Sequence, residues 1–142
     1  MILHSVTHPG LLAALAGAGH GSTVLIADGN YPLSTATGPA ATRIHLNLRP
    51  GLVDATTVLE AVLDVVPIEA AQVMTPGDDE PPIFDDFRAL LPGVALSELD
   101  RRTFYATARS GDLAVAIATG EQRLFGNILL TIGVVNPKES TK

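Results

Sequence analysis

The sequence predicts an α/β domain whose largely parallel sheet is flanked by helices. Three observations predict it. Apolar, β-branched runs at Ser22–Ala27, Leu113–Thr119 and Asn127–Val135 are bounded by turn residues, which is the pattern of buried strands. Segments with apolar residues at helical spacing alternate with such runs, and that alternation marks a layered α/β class. Hydrophobic residues make up 46% of the chain but aromatics only 4%, with no Trp. The core is therefore mostly Val, Leu, Ile and Ala, which lets helices pack closely on a sheet.

In chain order, Pro9 is placed to open a first helix, with Leu11, Leu12 and Leu15 on its apolar face. Gly17 and Gly19 end it, and Ser22–Ala27 is the first strand. Asp28-Gly29-Asn30 turns the chain into a Ser, Thr, Gly and Pro loop over Leu33–Ala41. Arg43–Leu48 alternates Ile44, Leu46 and Leu48 with Arg43, His45 and Asn47, a strand with one polar face. Asp54 caps a helix expected to run through Val66, with Val58, Val62, Leu63 and Val66 at helical spacing, and Pro67 ends it. Glu69–Thr75 reads as a strand. Ile83–Leu91 reads as a helix with Phe84, Phe87 and Leu91 on one side, and Leu99–Ala108 as a further helix. Leu113–Thr119 and Asn127–Val135 are the last strands, and residues 136–142 form a polar tail. No internal repeat occurs, and 142 residues fit one domain over residues 1–142.

Charge and composition exclude several function classes. The net charge is −6 and no Lys or Arg precedes Arg43. A chain without a basic patch is not expected to bind nucleic acid, and an acidic one binds anionic membranes poorly. The absence of cysteine excludes disulfides and thiol catalysis. Leu11–Gly17 resembles a signal-peptide core, but no cationic segment precedes it and Pro9 stands directly before it, so it is read as a helix of the domain. No apolar run approaches the ~20 residues of a membrane span. The expected location is the cytoplasm.

The stretch richest in candidate chemistry is Gly17–Pro32, GAGHGSTVLIADGNYP. Its glycines invite a dinucleotide reading, which the order of elements rejects. A phosphate cradle needs strand, glycines, then helix, whereas here a helix comes first. His20 between glycines is either a structural residue or an unshielded imidazole suited to proton transfer near neutrality. Asp28 is either the former of an Asp-Gly turn or a carboxylate at a strand end facing a ligand crevice. The two lie at opposite ends of one strand, roughly 20 Å apart or more if fully extended. They can touch one ligand only through a fold-back or from neighbouring subunits. His4, His8, His20 and His45 fit no compact metal-ligand spacing. Asp78, Asp79, Glu80, Asp85 and Asp86 lack the spacing of a calcium loop. No metal is expected. Arg101-Arg102 with Phe104-Tyr105, and Phe125-Gly126-Asn127, are polar–aromatic clusters. They are either surface charge with core packing or the furnishing of a sugar site.

Four stretches carry a resemblance when taken in order. They are Gly19-His20-Gly21 after the first helix; Asp28 followed by Asn30-Tyr31-Pro32; Arg101 four residues before Tyr105; and Thr119-Gly120-Glu121 leading to Phe125-Gly126-Asn127-Ile128-Leu129-Leu130. Together they resemble the family of fucose mutarotases and ribose pyranases over nearly the whole chain, and the fucose branch more closely. The resemblance implies a cofactor-independent isomerase that interconverts the anomers of a free monosaccharide, most closely L-fucose or a related sugar. Its alternatives are a D-ribose pyranase, which interconverts pyranose and furanose rings, or a sugar-binding module without catalysis. It also implies a ring-shaped homo-oligomer, often a decamer, with sites between subunits. His20 matches the family's proton donor, and Asp28 and Arg101 match substrate-binding positions. Phe125, Gly126 and Asn127 match its Tyr-Gly-Asn segment. Phe125 departs from the family tyrosine and removes a hydroxyl, which Tyr105 or Tyr31 is a candidate to replace. Asp28, a tyrosine or a bound water is the candidate base.

Overall fold

The computed structural model describes residues 1–137; the end of the expected polar tail, residues 138–142, lies outside the described residues. The chain order is α1 (Pro9–Gly17), β1 (Thr23–Ala27), β2 (Thr42–His45), α2 (Ala55–Leu63), β3 (Ile68–Met74), α3 (Ile83–Leu90), β4 (Leu96–Leu99), α4 (Arg101–Ala108), β5 (Leu113–Ala118) and β6 (Ile128–Ile132). The strands form one six-stranded sheet in the order β2-β5-β1-β6-β3-β4. Pairs β2–β5, β5–β1 and β3–β4 are parallel, while β6 is antiparallel to both β1 and β3. Five strands therefore run one way and β6 runs against them.

The sheet is covered on both faces, which is why β1 reads as an uninterrupted apolar run. Val24 and Ile26 face a layer containing Leu11 and Leu15 of α1, Val58, Leu59 and Val62 of α2, and Phe84 and Phe87 of α3. Leu25 and Ala27 face the other layer, built from Phe104 and Ala108 of α4 and from Tyr31, Leu33, Ala36 and Ala41 of the long loop. That loop is compact because the Tyr31 hydroxyl donates to the Ala36 carbonyl and Thr37 Oγ1 donates to the Leu33 carbonyl, each at 2.7 Å.

Side chains preceding three helices satisfy orphan N–H groups in the first turn. His8 Nδ1 accepts the Leu11 N–H at 2.9 Å, and Pro9 follows as the first helical residue. Asp54 accepts the Thr57 N–H at 3.1 Å, and Asp100 accepts the Thr103 N–H at 2.8 Å. Two of the four histidines are thus bound to local backbone, since His4 Nδ1 also accepts the Val6 N–H at 2.9 Å.

Several boundaries differ from the sequence expectation. α2 stops at Leu63 instead of Val66, because the Val65 and Val66 N–H groups both turn back to the Val62 carbonyl at 3.0 Å. β2 ends at His45, although Leu46 still donates to the Ala118 carbonyl at 2.8 Å. Leu99 belongs to β4 and not to the following helix, which starts at Arg101 after the Asp100 cap. β4 itself, Leu96-Ser97-Glu98-Leu99, is absent from the sequence expectation. It has no period-two apolar alternation and is held as an edge strand by parallel pairing to β3 alone.

The directions of the strands fix where a ligand can bind. The chain leaves β1 towards β2 on one side of the sheet, and leaves β3 towards β4 on the other. Between these divergent exits a doubly wound sheet opens a crevice at the carboxyl ends of its strands. Here β6 fills the gap between β1 and β3, so its first residues border that crevice. The apolar layer under α3 supports the sheet beneath it. Phe84 is fully buried, so Phe84→Ala is expected to cost about 3–5 kcal/mol in urea-monitored unfolding.

Candidate active site

Asp28 follows β1 and Asn127 precedes β6, and the two are joined reciprocally. The Asp28 N–H donates to Asn127 Oδ1 at 2.7 Å, and Asn127 Nδ2 donates to Asp28 Oδ2 at 3.2 Å. A backbone N–H needs an acceptor and a carboxylate needs a donor, so only this orientation of the amide satisfies both. Asp28 Oδ1 accepts the Asn30 N–H at 3.0 Å, which closes the Asp-Gly-Asn turn. Asp28 is 6% exposed and Asn127 5%. Burial raises the Asp28 pKa above the usual aspartate value, against the lowering effect of hydrogen bonds from Asn30, Tyr31, Gly126 and Asn127.

These two residues form the floor of a cavity of about 300 Å³. Tyr31, Arg101 and Tyr105 also line it, and Met74, Leu124 and Phe125 give it an apolar wall. Arg101, and not its neighbour Arg102, reaches the cavity from the first turn of α4. Tyr31 stacks on Tyr105 with ring centroids 5.2 Å apart, and the Arg109 guanidinium covers Tyr105 at 5.6 Å. The Tyr31 hydroxyl is committed to Ala36, and burial raises its pKa well above that of a free phenol.

Phe125 has φ +60°, the left-handed region, which costs a non-glycine residue on the order of 1–2 kcal/mol. Gly126 does not line the cavity, yet it permits the close packing beneath it. A Cβ there would lie 2.8 Å from Glu121 Cγ and 3.3 Å from Asp28 Cβ.

His20 is elsewhere in this subunit. It precedes β1 while Asp28 follows it, and the five residues of β1 alone span about 16 Å. His20 sits at the second position of a turn closed by the Ser22 N–H on the Gly19 carbonyl at 3.0 Å. Gly21 supplies the positive φ of +85° that the third position of such a turn requires. His20 Nε2 donates to Glu69 Oε1 of β3 at 3.1 Å. Their side chains are 58% and 47% exposed, and a pair this open to water contributes little stability. It does orient the imidazole, leaving Nδ1 directed away from the carboxylate.

The cavity therefore gathers Asp28, Tyr31, Arg101, Tyr105, Phe125 and Asn127, with Gly126 behind them, and leaves His20 at the opposite end of the sheet. Sequence reasoning missed Glu69, Met74 and Leu124. Glu69 lies 49 residues from His20, and nothing in an apolar strand run singles it out. Met74 and Leu124 read only as core or loop residues. Among the described residues, no group of three His, Cys, Asp or Glu side chains is arranged to hold a metal ion, and no helix is long and apolar enough to cross a membrane.

A crevice at the carboxyl edge of an α/β sheet, with a buried carboxylate–amide pair, a guanidinium and stacked aromatics, defines a protein that takes a small polar ligand. The chain belongs to the RbsD / FucU transport protein family, which matches residues 1–135. It is 33% identical to a fucose mutarotase of Mus musculus over 148 aligned positions, covering 92% of each chain. It is 32% identical to a D-ribose pyranase of Geobacillus kaustophilus, covering 84% of this chain and 85% of the relative. The crystal structure of the fucose mutarotase of Streptococcus pneumoniae in complex with L-fucose superposes with a TM-score of 0.77 at 29% identity, covering 91% of this chain and 94% of that one.

Replacing Asn127 by Asp sets a second carboxylate against the buried one of Asp28. Two carboxyls so close retain a shared proton, so the folded state binds more protons than the unfolded state. Asn127→Asp is expected to lower the melting temperature at pH 7, and the deficit should shrink as the pH falls towards 4. Melting curves across that range check it.

Proposed function

We propose that this protein is a cofactor-independent monosaccharide mutarotase that interconverts the α and β anomers of a free sugar, with L-fucose as the preferred substrate. The observation that carries this reading is the cavity holding Asp28, Asn127 and Arg101 beside two tyrosines and an apolar wall. Its volume of about 300 Å³ suits one sugar ring. Ionised Asp28 accepts hydrogen bonds from ring hydroxyls, Arg101 donates to hydroxyl oxygens, and Tyr105, held by Tyr31 and Arg109, lines the cavity beside them. The wall of Met74, Leu124 and Phe125 favours a deoxy sugar, whose methyl group needs no hydrogen bond, over ribose. The absence of a hydroxyl at Phe125 acts in the same direction. The family relationship supports the same class of substrate.

Mutarotation requires few groups. A proton is delivered to the ring oxygen as the C1–O bond breaks, and the anomeric hydroxyl loses its proton as C1 becomes a carbonyl. Rotation about C1–C2 and reclosure reverse both transfers. Free sugars open slowly in water, so positioned acid–base groups supplying about 10²–10⁴-fold are enough. His20 is the acid towards the ring oxygen, with Glu69 holding its Nε2. The base is Asp28 or a water held by it.

His20 lies too far from Asp28 within one chain, so the reading requires a neighbouring subunit to supply it. Both ends of the sheet carry exposed apolar side chains suited to such contact. Val134 and Val135 follow β6 on the His20 side and are 66% and 60% exposed, while Leu124, 68% exposed, borders the cavity. The two surfaces differ, so the contact is head-to-tail, and a closed head-to-tail assembly is a ring. The expected protein is a ring-shaped cytoplasmic homo-oligomer with its sites between subunits.

Saturation-transfer NMR on free sugars tests the activity. Enzyme-dependent exchange between α and β L-fucose signals is expected. Exchange confined to pyranose and furanose forms of D-ribose would instead assign a pyranase, and binding without faster exchange would overturn both. His20→Ala is expected to slow exchange about 10²–10⁴-fold. Chains carrying His20→Ala and chains carrying Asp28→Asn, each inactive alone, should regain up to about a quarter of the activity when co-assembled, because some sites then draw both intact residues. No recovery would place both residues in one subunit's site. Sugar affinity should fall on acidification with a midpoint above the ordinary aspartate pKa, because protonated Asp28 loses acceptor capacity and burial holds its pKa high. Calorimetric titration across pH measures this.

A further inference from the structure

Behind the cavity wall lies a charged cluster that no step above uses. Glu121 is 5% exposed. Arg123 grips it with two arms: Nε donates to Oε2 at 3.2 Å and Nη2 donates to Oε1 at 2.9 Å. The third arm, Nη1, donates to Asp86 Oδ2 of α3 at 2.6 Å. The carboxylate also accepts the Arg123 N–H at 3.1 Å and the Ala55 N–H at the start of α2 at 3.3 Å. Desolvation pushes its pKa up, but the Arg123 and Ala55 hydrogen bonds outweigh this and hold it below the usual glutamate value. Glu121 is therefore a buried anion with its charge answered on several sides, the condition under which a buried ion pair is tolerated.

The same residue meets, at two points, the chain segments that carry the cavity's lining residues. Its backbone carbonyl accepts the Gly29 N–H at 2.9 Å, which holds the turn after Asp28. Its Cγ lies so close to Gly126 that a Cβ there would be 2.8 Å away. Between Arg123 and Asn127 the chain passes through Leu124 and the left-handed Phe125, both in the cavity wall. The fork of Arg123 closes this segment back on Glu121 and ties it to α3 through Asp86.

We propose that Glu121 and Arg123 are positioning residues of the sugar site, a clamp that fixes the Asp28–Asn30 turn and the Leu124–Asn127 segment relative to one another and to α3. They touch no substrate and act through the residues that do. Planar two-point contact is the essential property, because one point charge would hold Glu121 without fixing the direction of the chain that follows. The proposal rests on the sugar-site reading above, and its test has an arm independent of that reading.

The test compares wild type with Arg123→Gln, Arg123→Lys and Asp86→Asn. Amide hydrogen exchange without sugar is the first readout. In Arg123→Gln, Gly29 and Gly126, whose N–H groups bond to the Glu121 carbonyl and the Asp28 carboxylate, are expected to lose protection while β1 and β5 keep theirs. The second readout is L-fucose exchange kinetics. KM is expected to rise about ten-fold, with kcat changing less than about three-fold, because the binding wall moves while Asp28 stays held by Asn127 and His20 is untouched. Arg123→Lys should restore only part of the loss. Asp86→Asn, which keeps the buried pair, should give the same pattern more weakly and serves if Arg123→Gln fails to fold. A folded variant with unchanged protection at Gly29 and Gly126 and unchanged KM overturns the proposal. A wild type that exchanges no sugar overturns the mutarotase reading instead, and the amide data still decide whether the clamp exists.

Discussion

The reciprocal hydrogen bonds between Asp28 and Asn127 are the constraint on which the site depends. β1 and β6 are neighbours in the sheet, but their ladder ends where Asp28 leaves and Asn127 enters. Beyond that point nothing in regular structure fixes the two chain segments together. One amide does so, accepting from the backbone of Asp28 and donating to its side chain. Because Asn127 answers one carboxylate oxygen and the Asn30 N–H the other, a buried negative charge is held in place at the cavity. Loss of the Asn127 amide would leave the buried Asp28 N–H without its acceptor, a larger penalty than the net worth of the bond itself.

Around that pair the chain accepts local costs. Asp28 is buried enough to raise its pKa. Phe125 adopts a backbone conformation that glycine would take more readily. Val134, Val135 and Leu124 are left exposed. Each is unfavourable in an isolated subunit, and all of them lie at the candidate site or at the His20 end of the sheet. Backbone strain at a cavity wall is expected of a functional region. The remainder of the sheet, where Val24, Leu25, Ile26 and Ala27 are wholly buried, supplies the stability against which these costs are set.

The fold also separates the two chemistries. Strand directions gather the cavity-lining groups at the carboxyl ends of β1, β3 and β4 and at the start of β6. The same directions place His20 and Glu69 at the amino ends of β1 and β3. A single rigid sheet cannot bring the two ends together. In the proposed function the acid must therefore come from another copy, which makes activity depend on assembly. Glu69 then matters as the residue that aims His20 outwards, and Arg123 with Glu121 as the brace that keeps the receiving cavity in shape.

The sequence by itself determined the α/β class, most elements, the family and the residues of the cavity floor. Their signals are local: β-branched runs between turn residues, Pro9 and Asp54 at helix starts, and short motifs such as Gly-His-Gly and Phe-Gly-Asn. It also determined that His20 and Asp28 are separated by a strand, since strand rise alone sets that distance. Only the tertiary structure decided that β6 runs antiparallel between β1 and β3, because strand order depends on packing between distant segments. Edge strand β4 was invisible for the same reason, its four residues being specified by pairing to β3 and not by their own pattern. The pairing of Glu69 with His20 and the choice of Arg101 over Arg102 were decided at the same level. So was the grip of Arg123 on Glu121 and Asp86, whose end residues lie 37 positions apart in the chain. The short spacing of Glu121 and Arg123 gives no hint of it, since the Ala55 N–H of α2 and Asp86 of α3 that complete the cluster come from distant parts of the chain.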